Sequence, residues 1–157
     1  MPPNWLPQML VVDPWTQNTF DELYAVFTRD FKTTRPTLNG AEVWFFPEME
    51  DGKECIFWHL TQRDDKHVND RLPDFARCAR LCWIRAIIDN ASSPEVLCWD
   101  YIESDKSLRT YLWLRNDDYI IVLKKMPNGS HRLITAHCID YASKRRTLQS
   151  KYEKRIR

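Results

Sequence analysis

Glycine is nearly absent from this chain: Gly40, Gly52 and Gly129 are the only three in 157 residues. Each is isolated and accounts for a turn, so a glycine-rich cradle for a nucleotide cofactor is not expected. No GxGxxG, Walker loop, HExxH or GxSxG occurs either. No apolar run approaches the roughly 20 residues of a spanning helix. The start, MPPNWLPQMLVVDPW, has neither a basic n-region nor a long apolar h-region. The chain therefore reads as a soluble, cytoplasmic protein without a membrane partner. Net charge is missing too, with 23 Lys and Arg against 22 Asp and Glu. Bulk attraction to nucleic acid, membrane or acidic partners is excluded, and any basic site must be local. Five cysteines (55, 78, 82, 98 and 138) are odd in number, lie in apolar runs and lack CxxC spacing. Reduced core thiols are expected rather than a disulfide framework or zinc knuckle. The four histidines, 59, 67, 131 and 137, show no ligand spacing, so neither metal nor other cofactor is expected.

What is present is apolar and aromatic: 43% and 13% of the residues. That suits one sizeable core, and residues 1–157 are expected to form a single α+β domain. Prolines 2, 3, 7 and 14 make residues 1–17 an extended arm whose Trp5, Leu6, Leu10 and Trp15 could pack on the domain. After Asn18-Thr19, FDELYAVFTRDF places Phe20, Leu23, Val26, Phe27 and Phe31 on one helical face. AEVWFF and ECIFWHL then read as a hairpin around Pro-Glu-Met-Glu-Asp-Gly, with His59 ending its second strand. RLPDFARCARLCWIRAII has a buried helical stripe flanked by Arg77, Arg80 and Arg85, with Pro73 in its first turn. EVLCWDYI, RTYLWLR, YIIVLKKM and RLITAHCID form an antiparallel sheet of about four strands, because their turns are short. SKRRTLQSKYEKRIR is a basic C-terminal helix. Alternation puts Leu112, Leu114, Ile121, Leu123, Ile134 and Ala136 on the core face. Tyr111, Trp113, Arg115, Ile120, Val122, Lys124, Leu133, Thr135 and His137 share the other, which reads as wet or functional.

Metal-independent RNA cleavage needs a base for the 2′-hydroxyl, an acid for the leaving oxygen, and cations on the phosphate. His59 is a candidate because imidazole as a group titrates near neutrality and this one precedes a charged loop, although the plainer reading is a strand-end histidine with a hydrogen bond and no chemistry. Thr135 and His137, two apart on a strand, point the same way, on a face that could also be merely solvated. Arg71, Arg77 and Arg80 begin and line the long helix, where guanidinium forks match phosphate oxygens. Pairing with Asp70 and Asp74 on a solvated helix face explains them as well. Tyr111, Trp113, Lys124, Arg145 and Arg146 are candidates for contacting RNA, the rings by stacking and the cations through the backbone. The basic tail would serve as well for solubility or for gripping an antitoxin.

The order FWHLT (57–61), RLPDFARCAR (71–80), a meander with YIIVLKK (119–125), and LITAHCID (133–140) before a basic helix resembles one nuclease group. It is similar to the small phage- and mobile-element-borne members of the barnase–EndoU–colicin–RelE nucleases. The likeness runs over roughly residues 54 to 155, a nuclease-like core, and leaves the first fifty uncovered. It implies a toxin-type endoribonuclease that cleaves RNA without metal through a 2′,3′-cyclic phosphate, with RNA as substrate and an antitoxin or immunity protein as partner. In that scheme His59 is the general acid or base, Arg71 with Arg77 or Arg80 stabilises phosphate charge, and Thr135 orients the phosphate. His137 falls where relatives carry an aromatic or another polar residue, and Lys124 and Tyr111 are secondary contacts. The competing expectation is a non-catalytic RNA- or protein-binding module on the same fold, such as a phage accessory or toxin–antitoxin interaction protein.

Overall fold

The computed structural model describes residues 2–63 and 72–157, so His67 and Arg71 lie outside the described residues. The chain is α+β. Its main sheet has six strands in the order β1 (Thr37–Leu38), β2 (Ala41–Trp44), β10 (His131–Cys138), β9 (Tyr119–Lys125), β8 (Leu108–Leu114), β7 (Val96–Ile102). Every pairing is antiparallel except β2 with β10, which is parallel and spans only Val43–Trp44 against His131–Arg132. The expected meander is thus present, and β1 and β2 extend it from about four strands to six.

α1 (Gln17–Phe27) starts earlier than expected, because Thr16 rather than Asn18 is its cap. The Thr16 hydroxyl accepts from the Thr19 N–H at 3.2 Å, and the Thr19 hydroxyl accepts from the Thr16 N–H at 3.3 Å, a reciprocal capping box. A π-helical turn, Thr28–Thr33, continues it and buries Phe31.

The expected AEVWFF–ECIFWHL hairpin does not form. β2 joins the main sheet, while CIFWHLT folds as helix α2 (Cys55–Thr61). Phe57, Leu60 and Thr61 fall on one face of that helix and are buried, so tertiary packing overrides the β preference of the aromatic run. A small hairpin of β3 (Met49–Glu50) and β4 (Lys53–Glu54) precedes it. Asp51 and Gly52 turn this hairpin with φ of 51° and 81°, a pair of positive angles that glycine supplies without strain.

The predicted long arginine-studded helix is two helices, α3 (Phe75–Ala79) and α4 (Leu81–Asp89), broken at Arg80 with φ −104° and ψ 10°. Pro73 lies ahead of the helix, in β6 (Leu72–Pro73) paired with β5 (Gln62–Arg63), and Asp74 is the cap, its carboxylate accepting from the Arg77 N–H at 3.1 Å.

α1 to α4 cover one face of the sheet and share its core with Leu112, Ile121, Leu123, Leu133 and Ala136. The N-terminal residues lie over the α3–α4 junction. Leu10 donates its N–H to the Ala79 carbonyl at 2.8 Å, and Trp83 Nε1 donates to the Pro7 carbonyl at 2.9 Å. The opposite face is not wet throughout. α5 (Ala142–Glu153) lies across it, and Leu148 and Tyr152 pack on Trp99, Tyr111, Trp113, Ile120 and Val122. A bulge between Leu133 and Thr135 corrects the predicted facing of β10: Leu133 is buried with the first core, whereas Ile134 packs on the second. No helix among the described residues is long and apolar enough to cross a membrane.

Candidate nucleic-acid interface

β2 pairs β10 only as far as Arg132, and α2 packs beside the rest of the strand. This brings His59 to β10. The imidazole Nε2 of exposed His59 lies 3.0 Å from the Thr135 hydroxyl, between residues 76 apart in sequence. Arg77 holds the helix that carries His59. Its Nη1 donates to the His59 carbonyl at 3.0 Å and to the Gln62 carbonyl at 3.3 Å, and its Nε is 3.5 Å from the Asp74 carboxylate. One carbonyl of the last turn of α2 and that of its cap, Gln62, thereby meet a cation, which also suits the negative end of the helix.

His137 follows Thr135 on the same side of β10. Its Nδ1 lies 3.0 Å from the Cys138 carbonyl, which can only accept, so Nδ1 carries the proton and Nε2 the lone pair. Burial, with Arg77 and Lys144 nearby, holds this imidazole below its ordinary value and therefore neutral at pH 7. His137, Arg77, Asp74, Asp140 and Lys144 line a concavity of about 100 Å³. On the other side of Thr135, His59 shares a concavity of about 220 Å³ with Phe45, Phe46, Ile56, Arg132 and Ile134.

Four of the expected site residues, His59, Thr135, Arg77 and His137, thus gather where α2, α3 and β10 meet. Arg80 does not join them. It caps the α3–α4 break, donates Nη1 to the Ala76 carbonyl at 3.1 Å and lies 5.2 Å over the Trp83 ring, with Nε buried. Tyr111 and Trp113 are corrected outright as stacking platforms: α5 leaves them 4% and 0% exposed. The Tyr111 hydroxyl donates to Glu103, and Lys151 binds both groups at 3.0 Å, which pins α5 to the sheet. Arg145 is committed to Asp118 and to the Arg115 carbonyl, while Arg146 is exposed.

Lys124 is half-buried on the side of the sheet that carries Thr135, directly between Arg109 on β8 and Arg132 on β10. Neither arginine was singled out from the sequence. Counting back from the Asn116–Asp118 and Pro127–Ser130 turns would have aligned both with Lys124. None of the five cysteines forms a disulfide, and burial pushes Cys78 up to about 12, far from a usable thiolate. Among the described residues no three His, Cys, Asp or Glu side chains converge on a metal position.

Comparison with protein families, with curated proteins and with solved structures finds no match to this chain. The likeness to the nuclease group rests on the sequence pattern alone.

Proposed function

We propose that the chain is a metal-independent endoribonuclease whose reacting centre is the ledge formed by His59, Thr135 and His137. The observation that carries the reading is the 3.0 Å approach of the exposed His59 imidazole to the Thr135 hydroxyl, with the Arg77 guanidinium against the same helix end. Thr135 and His137 stand roughly 7 Å apart along the strand, room for a phosphodiester between two imidazoles. His137, neutral and with a bare Nε2, would take the proton from the ribose 2′-hydroxyl as that oxygen bonds to phosphorus. His59 would give a proton to the 5′-oxygen as its bond to phosphorus breaks. The products are a 2′,3′-cyclic phosphate and a free 5′-hydroxyl. The Thr135 hydroxyl would hold a non-bridging oxygen, and Arg77 would keep α2, and with it His59, in register.

The test is cleavage of mixed cellular RNA in EDTA by the purified protein and by His59→Ala, with the product ends analysed. Cleavage that survives the chelator, leaves cyclic phosphate and drops by a factor of about 10² to 10⁴ in the variant supports the proposal. A wild-type protein that binds RNA and leaves it whole would point instead to a binding module, which the adjacent cations also suit.

A further inference from the structure

Strand register places five side chains in one line across the sheet. Tyr101 on β7 pairs with Arg109 on β8, which pairs with Lys124 on β9. Lys124 pairs in turn with Arg132 on β10, and Arg132 with Trp44 on β2. Partners in register share a face, so three cations stand side by side at about 5 Å per strand, with an aromatic ring at each end. Like charges opposite one another repel, and two of the three acids nearest this row are engaged elsewhere. Asp100 is bound to Lys125 at 3.2 Å and to the Thr110 hydroxyl at 2.6 Å. Glu103 is held by Lys151 at 3.0 Å. Asp105 is exposed, and Ser107, which bonds it at 2.6 Å, with smaller contributions from Arg109 and Lys124, holds its carboxyl below the ordinary value, so it offsets only part of the row's charge. Arg132 Nε is buried with no hydrogen-bond partner, and the guanidinium lies 4.4 Å over the ring of Phe46, which is 49% exposed. Phe46, Arg132 and His59 line the same concavity.

We infer that this row is a track for single-stranded RNA. Consecutive phosphates lie on Arg109, Lys124 and Arg132, and the next base rests on Phe46 beside His59. The inference deepens the nuclease reading and rests on it for the direction in which the strand runs. Single-stranded RNA fits better than a duplex, because an exposed ring offers a face only to an unstacked base. The three cations also span only about 10 Å from β8 to β10, a few nucleotides rather than a groove.

The experiment is anisotropy of a labelled, mixed-sequence 12-nucleotide RNA over a range of salt, with R109Q/K124Q/R132Q, with K124Q alone, and with the control K154Q/R157Q, which removes two exposed cations from the end of α5 and the residues after it. A single strand releases counterions with a slope of about 0.7 per phosphate neutralised, so the triple row variant should flatten the salt dependence by roughly 2. Its affinity should fall at least 10-fold, with K124Q intermediate and the α5 control close to wild type. His59→Ala should bind as wild type does. Loss in the α5 control with none in the row variants overturns the track, as does tighter binding of duplex RNA or no binding of RNA at all. Row-dependent binding without cleavage would leave the track standing and remove the nuclease reading. His59-dependent cleavage with unchanged binding in both row variants would do the reverse.

Discussion

On β8, Tyr111 and Trp113 are sealed beneath α5, whereas Arg109, two residues before Tyr111 on the same face, is half-buried beside Lys124. The strand, its pairing and its twist are common to both regions, and only the cover differs. α5 crosses from Ser143, Lys144 and Leu148 near His137 to Tyr152 on Trp99, and the chain then bonds to β7 through the Ile156 N–H and the Asp100 carbonyl at 2.9 Å. Where its two apolar side chains reach, the sheet carries rings and branched aliphatics; beyond them it carries cations. A single face is therefore divided into a part that α5 seals and a part that α5 leaves uncovered. Alternation along a strand reports which way side chains point, not whether another element will arrive to cover them.

The largest effect that would sharpen this division is on stability. Trp113→Ala should destabilise the protein by about 3–5 kcal/mol, the cost of emptying a fully buried aromatic site. Lys124→Ala on the neighbouring strand should change stability by no more than about 0.5 kcal/mol. Urea titration of the two variants measures both. Equal losses would mean that the basic row is as structural as the part beneath α5.

The pattern of residues made some of this architecture readable and hid the rest. Short polar turns at Asn116–Asp118 and Pro127–Ser130 announced β8, β9 and β10, and the amphipathic stripe of Cys82, Trp83 and Ile87 announced α4. α2 was hidden because Ile56, Phe57 and Trp58 have strand propensity, and only the long-range core around Phe27 and Phe57 decides for helix. The bulge at Leu133/Thr135 inverted the facing of Leu133 and Ile134, since one extra residue shifts a period of two. Of the site, Thr135 and His137 were legible as a pair on one strand. The meeting of His59 with Thr135 was not, because no spacing rule links residues so far apart. Leu148 and Tyr152, at i and i+4 in a basic helix, were the only sign that α5 would dock.

A smaller effect tests the open part of the face. Thr135→Val keeps the β-branched shape and removes the hydroxyl that meets His59. Cleavage should fall about 10-fold, the loss of a hydrogen bond worth roughly 1.5 kcal/mol, with RNA affinity unchanged. A rate equal to wild type would show that the 3.0 Å contact is incidental to the reaction.

The smallest effect distinguishes two histidines on the same strand by pH. His131, at one end of β10, is 5% exposed, its Nδ1 has no hydrogen-bond partner, and burial followed by the Lys125 charge lowers its pKa. A lowered imidazole pKa means that the unfolded chain binds a proton more readily than the folded one, so stability falls with pH from about 6.5 down to the folded value and is then level. His137 has the same sign of shift and shares this fall, but it also lies on the ledge beside Thr135. If His137 is the base, cleavage should persist somewhat below pH 6.5 before it declines, because the neutral form survives there. His131→Gln should reduce the loss of urea stability between pH 7 and pH 5 without moving the acid limb of the cleavage profile. His137→Gln should reduce the same loss and abolish the limb together with most of the activity. An acid limb that moves with His131 instead would assign catalysis to the wrong end of the strand and join two regions that the fold keeps apart.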